Sequence, residues 1–223
     1  SLQWTQSGVF RPTAIFGSAE LVAKNNLILA SYSSGEIYAL NKDSGSVIWS
    51  NRLNVSRATD SDFYLNDIDA TPIINNGVVY AVGNGGLMMA IDINDGNYLW
   101  KKEIASIADF WISGNYIFII NNDNKLLAIH KNKGKVRWIS DLPDYKNPKK
   151  LVTKYIYNGL VVAGDKIVIS RSDGEIIIVS PITGKILKEI DVAKKLDHSP
   201  IIVGDKMYFY VMDKLFTRLV VLQ

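Results

Sequence analysis

A fifteen-residue pattern recurs four times along the chain, and a repeat of this kind constrains the architecture more than any single residue does. Its first copy runs Gly35-Glu36-Ile37-Tyr38-Ala39-Leu40-Asn41, then through Gly45 to Val47-Ile48-Trp49. Its second runs Gly86-Leu87-Met88-Met89-Ala90-Ile91-Asp92, then through Gly96 to Tyr98-Leu99-Trp100. The third starts at Asn124, passes Leu127-Ala128-Ile129 and Gly134, and ends at Trp138. The fourth starts at Gly174, passes Ile177-Ile178-Val179 and Gly184, and ends at Lys188. In each copy the two turn markers lie 10 residues apart, and the closing residue follows the second by 4. Trp4 reads as the tail of an earlier copy, and successive copies' tryptophans are spaced by 45, 51 and 38 residues. Irregular spacing near ~40–45 residues is that of β-propeller blades, not of a helical solenoid.

Each copy also reads as four short strands. In the second these are Ala70–Asn75, Val78–Val82, Leu87–Asp92 and Asn97–Glu103. The breaks between them, Asn76-Gly77, Gly83-Asn84-Gly85-Gly86 and Asn94-Asp95-Gly96, supply the positive φ that tight hairpin turns require. The runs themselves are rich in Val, Ile and Tyr, and no segment has the period of an amphipathic helix. The expected fold is therefore all-β, built of four-stranded propeller blades. Gly45, Gly96, Gly134 and Gly184 turn the third strand of each blade into the fourth. Ala39, Ala90 and Ala128 are small enough to sit where sheets press together. Trp4, Trp49, Trp100 and Trp138 then lie across the neighbouring blade, burying a large ring. Trp111 falls outside the pattern and is expected to pack as well. One outer strand around Trp4, four full blades and a third strand at Thr217–Leu222 make about five blades in the single domain expected over residues 1–223.

Composition removes several function classes. At 223 residues and 48% hydrophobic the chain can bury a core, and no apolar run approaches the roughly 18 residues of a membrane-spanning helix. A net charge of +3 is too mild for a nucleic-acid partner. The absence of cysteine removes disulfides, thiolate metal sites and cysteine nucleophiles together. His130 and His198 are too isolated to suggest a metal site or a triad, so neither a catalytic residue nor a metal is expected. The basic stretch Tyr145-Lys146-Asn147-Pro148-Lys149-Lys150, with Lys154 after it, reads as a solvated loop, with contact to acidic lipid headgroups or an acidic partner loop as the alternative. Ser1-Leu2-Gln3-Trp4 lacks the features of a signal peptide, so any targeting signal or lipid anchor is expected upstream of this chain.

The repeat, Gly-x-hydrophobic-x-Ala-hydrophobic-Asn/Asp followed by Gly-x-hydrophobic-hydrophobic-Trp, resembles the tryptophan-docking repeats of the pyrroloquinoline-quinone (PQQ) propeller superfamily. That superfamily contains both quinoprotein dehydrogenases and binding scaffolds. Many of the dehydrogenases carry an adjacent cysteine pair over the quinone, which this chain lacks, and no cluster of Glu, Asn and Asp reads as their calcium site. A non-enzymatic protein without cofactor is the expectation. A PQQ-dependent dehydrogenase or a ligand-binding propeller is the alternative.

Nearly the whole chain is similar to the C-terminal half of the BamB family, propeller lipoproteins of the outer-membrane β-barrel assembly machine. The likeness is carried by Arg52-Leu53-Asn54-Val55-Ser56-Arg57-Ala58-Thr59-Asp60, leading into Leu65-Asn66-Asp67-Ile68-Asp69-Ala70-Thr71-Pro72. It continues in Trp100-Lys101-Lys102-Glu103-Ile104, in Gly114-Asn115-Tyr116-Ile117-Phe118 and in Tyr157-Asn158-Gly159-Leu160-Val161-Val162-Ala163-Gly164-Asp165. The resemblance implies an eight-bladed ring at the periplasmic face of the outer membrane, whose inter-blade loops dock on periplasmic domains of the barrel-assembly subunit. It further implies partner contacts at Asp67 and Asp69, and at Ile15 and Phe16, where Phe16 stands in place of the family's Arg. Read by themselves, two carboxylates at i and i+2 of an extended chain point the same way and offer an acidic patch to Lys or Arg. They equally suit turn caps before Thr71-Pro72. Two closures are open: a fragment that pairs with a second copy or with missing blades, or a five-bladed ring completed by the first strand. Self-association is expected if the ring is incomplete.

Overall fold

The structure, a computed structural model, describes residues 1–8, 19–53, 67–147, 149, 152–193, 195–196, 198–212 and 217–222. Twenty-one strands and no helix occur among them. The first sheet holds β1 (Val22–Lys24), β2 (Leu27–Ser31), β3 (Glu36–Asn41) and β4 (Val47–Arg52). The second holds β5 (Ile73–Asn75), β6 (Val78–Val82), β7 (Leu87–Asp92) and β8 (Tyr98–Glu103). The third holds β9 (Trp111–Ser113), β10 (Tyr116–Ile120), β11 (Lys125–His130) and β12 (Val136–Asp141). A separate hairpin, β13 (Tyr145–Asn147) and β14 (Val152–Lys154), precedes the fourth sheet. That sheet holds β15 (Tyr157–Ala163), β16 (Lys166–Arg171), β17 (Glu175–Val179) and β18 (Ile186–Asp191). The fifth has three strands, β19 (Ile201–Val203), β20 (Lys206–Met212) and β21 (Thr217–Leu222). Within each sheet consecutive strands pair antiparallel. The chain falls into two compact units, Ser1–Ile107 with Asn132–Gly134, and Ala108–Lys131 with Lys135–Gln223.

Turn chemistry explains the reversals. Between the third and fourth strands, Asn41 and Asp92 accept backbone N–H bonds on their side-chain oxygens at 2.8–3.0 Å, while Gly45, Gly96, Gly134 and Gly184 take positive φ. Those glycines have a second reason to lack a side chain. A Cβ at Gly45, Gly96, Gly134 or Gly184 would lie 2.5–2.8 Å from the ring of Trp4, Trp49, Trp100 or Trp138 respectively. Each of these tryptophans thus rests on the turn one sheet further along. Three of the rings also donate Nε1–H to a turn carbonyl: Trp4 to Lys42 at 3.0 Å, Trp49 to Ile93 at 2.8 Å and Trp138 to Pro181 at 3.1 Å. Both the apolar ring and its one polar atom are thereby satisfied. Ala39, Ala90 and Ala128 are fully buried opposite Trp49, Trp100 and Trp138.

Within each unit the core lies between faces of successive sheets. Leu29, Ile37, Val79, Met89 and Ile91 interlock in the first unit; Ile167, Ile169 and Ile177 pack with Phe118 and Leu126 in the second. In every four-stranded sheet the pairing of third and fourth strands slips by one residue, leaving Ile48, Leu99, Arg137 or Leu187 as the extra. A bulge re-aims the residues around it. Val47 and Trp49, two apart, consequently differ in exposure at 45% and 7%.

Three expectations need correction. Ser1–Gly8 forms no strand: Trp4 docks on Gly45, but no described strand offers the segment a ladder. The basic loop after Asp144 is instead the β13–β14 hairpin. Trp111, expected to pack, is 39% exposed, because β9 is an edge strand paired on one side only.

Candidate functional site

The lead-in to β5 concentrates the unusual chemistry of the first unit. Leu53 closes the first sheet, donating its N–H to the Gly35 carbonyl at 2.8 Å and burying its side chain completely. Residues 54–66 lie outside the described set, and the chain resumes at Asp67. Gly83, in the turn between β6 and β7, brings the two ends together. A Cβ there would stand 2.8 Å from the Leu53 carbonyl oxygen and 3.8 Å from that of Asp67. The Asn84 N–H donates to the Asp67 carbonyl at 2.9 Å, and Ile68 packs with Leu53 in the core. These contacts fix the backbone that carries Asp67 and Asp69.

The two carboxylates are close enough to feel each other, but they are not a flat exposed patch. Asp67 is 3% exposed, whereas Asp69 is half-buried. Asp69 Oδ2 is shielded from water and accepts no hydrogen bond among the described residues. Burial, reinforced by the charge of Asp67, pushes the Asp69 carboxyl up to about 6. No cation stands beside it among the described residues. A guanidinium or ammonium beside the open part of this half-buried residue would hold it ionised. Ile15 and Phe16 lie outside the described residues.

A charged cluster in the second unit was not anticipated from sequence. The buried Arg171 guanidinium reaches Asp173 at 2.8 and 3.1 Å, Glu189 at 3.2 Å and also Glu175, with its Cζ 4.1 Å from the Tyr155 ring centre. The spacing Arg171, Asp173, Glu175 along the turn into β17 was the available signal. Three carboxylates around one planar fork satisfy it, so the cluster is a structural pin. Among the described residues no group of three or more His, Asp or Glu is arranged to hold a metal ion.

Comparison with known proteins gives a consistent family. A family model described as "Outer membrane protein assembly factor BamB" matches residues 1–140. The chain is 31% identical over 159 residues to outer membrane protein assembly factor BamB of Escherichia coli (strain K12), covering 71% of this chain and 37% of that protein. It is 30% identical over 202 residues to the Yersinia pestis protein of the same name, covering 90% of this chain and 47% of that one. The chain thus spans about half or less of the length of these curated relatives. The crystal structure of BamB from Moraxella catarrhalis aligns with a TM-score of 0.79 over 93% of this chain and 60% of that one, at 19% identity. At that identity the likeness speaks for the fold, and the sheets described above are propeller blades.

Proposed function

The chain belongs to the BamB family of outer membrane protein assembly factors, and from that premise we propose that it is a non-enzymatic scaffold of the outer-membrane β-barrel assembly machine. In this reading it works at the periplasmic face of the outer membrane, as part of a lipoprotein, and holds the periplasmic domains of the barrel-assembly subunit through its inter-blade loops. Asp67 and Asp69 form the leading contact, and Ile15 with Phe16 an apolar second one. The observation that carries the proposal is Asp69 Oδ2, buried at a loop base without a hydrogen-bond partner among the described residues. A partner Lys or Arg at the part of the half-buried Asp69 that remains open brings the opposite charge that no described residue supplies. No bond chemistry is required, only presentation of a rigid surface.

Because the partner's cation binds the ionised carboxyl, docking releases a proton whenever Asp69 starts protonated. Affinity is then greatest at neutral pH and falls as pH drops through about 6, approaching about tenfold per unit well below it. The test is a titration of this chain against the periplasmic domains of the barrel-assembly subunit at pH 7.5 and pH 5. It is repeated with an Asp67→Ala/Asp69→Ala variant shown to keep the wild-type melting temperature. The expected result is a loss of at least about tenfold in the variant at pH 7.5 and a smaller loss at pH 5. Full binding by the folded variant would move the docking surface elsewhere. No binding by folded wild-type chain would sink the scaffold reading.

A further inference from the structure

The connection between the third and fourth sheets carries a hairpin of its own. It is built out into the β13–β14 hairpin, and both legs of that hairpin are tied down at its base. On the incoming leg, Leu142 is buried and donates its N–H to the Asn124 carbonyl at 3.0 Å, while Asn124 Nδ2 donates to Asp144 Oδ1 at 2.8 Å. On the outgoing leg, the Tyr155 N–H donates to the Asp144 carbonyl at 2.8 Å, and the Tyr157 hydroxyl donates to the Pro143 carbonyl at 2.7 Å. Tyr155 itself lies against Arg171, the pin of the charged cluster. Above this base stand Lys146, Lys149 and Lys154, all exposed, and the one acid of the segment, Asp144, is engaged by Asn124. None of the three lysines has an ion-pair partner among the described residues.

We propose that this hairpin is a docking element for the anionic headgroups of a phospholipid surface. Lys154 pairs with Tyr145 across the ladder and so shares its face; Lys146, one residue on, points to the other face, and Lys149 sits in the connection. Charge spread over two faces and the tip suits a layer of phosphates that surrounds the hairpin, whereas a single acidic patch on a protein would be met by one face. Lysine is a hydrated point charge without the fork that selects a carboxylate, which favours diffuse phosphate binding. Half-buried Tyr145 and exposed Ile156 flank the charges, as aromatic and aliphatic side chains do at a bilayer interface. The clamped base holds the two strands that carry Lys146 and Lys154.

The experiment is co-sedimentation of the whole chain with vesicles of phosphatidylglycerol and phosphatidylcholine in a one-to-three ratio, against vesicles of phosphatidylcholine alone, at low and high salt. Wild type is expected to bind the anionic vesicles at low salt and to release them at high salt. A Lys146→Gln/Lys149→Gln/Lys154→Gln variant is expected to bind about a hundredfold more weakly, near fivefold per lysine. A Lys24→Gln/Lys42→Gln/Lys206→Gln variant has the same net charge with the hairpin intact, and is expected to bind like wild type. Equal losses in the two variants, wild-type binding by the hairpin variant, or no binding by wild type at low salt would each overturn the proposal. Capture of a glutamate-rich peptide without any vesicle binding would also overturn it, in favour of an acidic protein partner. The proposal does not depend on Asp69, so a failed titration with the barrel-assembly subunit leaves it standing.

Discussion

The junction between the first and second sheets and that between the fourth and fifth bury similar aliphatic faces by different means. At the first, Trp49 lies on Gly96 and donates to the Ile93 carbonyl, with Ala39 opposite it. At the other, Lys188 occupies the tryptophan position and points into solvent, and Ile178 replaces the alanine. Val161, Val168, Ile176, Phe209 and Val211 nevertheless interlock there, covered by Leu196. Sheet-to-sheet packing therefore does not require the tryptophan. What the ring adds is a fixed register between one sheet's last strand and the next sheet's turn, together with its own buried area. The first junction also carries Asp69, whose charge no described residue neutralises. Clamp and strained acid occur at the same place.

The largest test of this contrast is Trp49→Ala. Loss of the buried ring and its hydrogen bond is expected to cost ~3–5 kcal/mol, a fall of roughly 10 °C in melting temperature for a chain of this length. Lys188→Ala, at the matching position, is expected to stay within about 0.5 kcal/mol of wild type. Equal effects would mean that the two junctions are held alike.

A finer cut separates backbone strain from contact. Gly77 and Gly96 both adopt positive φ, at 78° and 75°, but a Cβ at Gly77 meets nothing within 4 Å while one at Gly96 meets Trp49 at 2.7 Å. Gly77→Ala should cost about 1 kcal/mol from φ alone, and Gly96→Ala about 2–3 kcal/mol, as read from thermal melts. If both variants lose the same amount, the clamp contributes nothing beyond the turn.

The smallest effect is a gain. Asp69 is raised from 3.8 to about 6 in the folded chain, so between those values the folded state holds more protons than the unfolded and stability falls as pH rises. Asp69→Asn is accordingly expected to stabilise the chain by roughly 1 kcal/mol at pH 7.5, with the advantage disappearing by pH 4. A variant no more stable than wild type at pH 7.5 would show that the acid is solvated and not strained.

Much of this architecture is written locally. Gly45, Gly96, Gly134 and Gly184 are legible because a turn of positive φ and a ring resting on it both exclude side chains, and the same demand recurs at fixed spacing. Asn124 is legible as the one non-glycine marker because it tolerates a φ of 54°. The bulges are not, since Val47-Ile48-Trp49 reads equally well as an unbroken strand until its partner residues are known. Nor is the β13–β14 hairpin, whose three-residue strands are too short for a period and whose Pro148 and lysines suggest a loop. At the candidate site the i, i+2 spacing of Asp67 and Asp69 is visible, but the burial of Asp67 is not. It depends on Leu53 and Gly83, which approach only when the sheets are formed.

The tryptophan clamps also give the assembly of the sheets a direction. Trp4, Trp49 and Trp138 bond to carbonyls 38, 44 and 43 residues further on, always toward the C-terminus. A chain that folds from its N-terminus can therefore complete one sheet with its tryptophan still waiting, and secures that ring only when the turn of the following sheet forms. Each closure spans about one blade, so the entropy of loop closure is similar at every step and no step waits on distant sequence. Nascent blades are thus added to a growing edge that exposes one unsecured indole at a time.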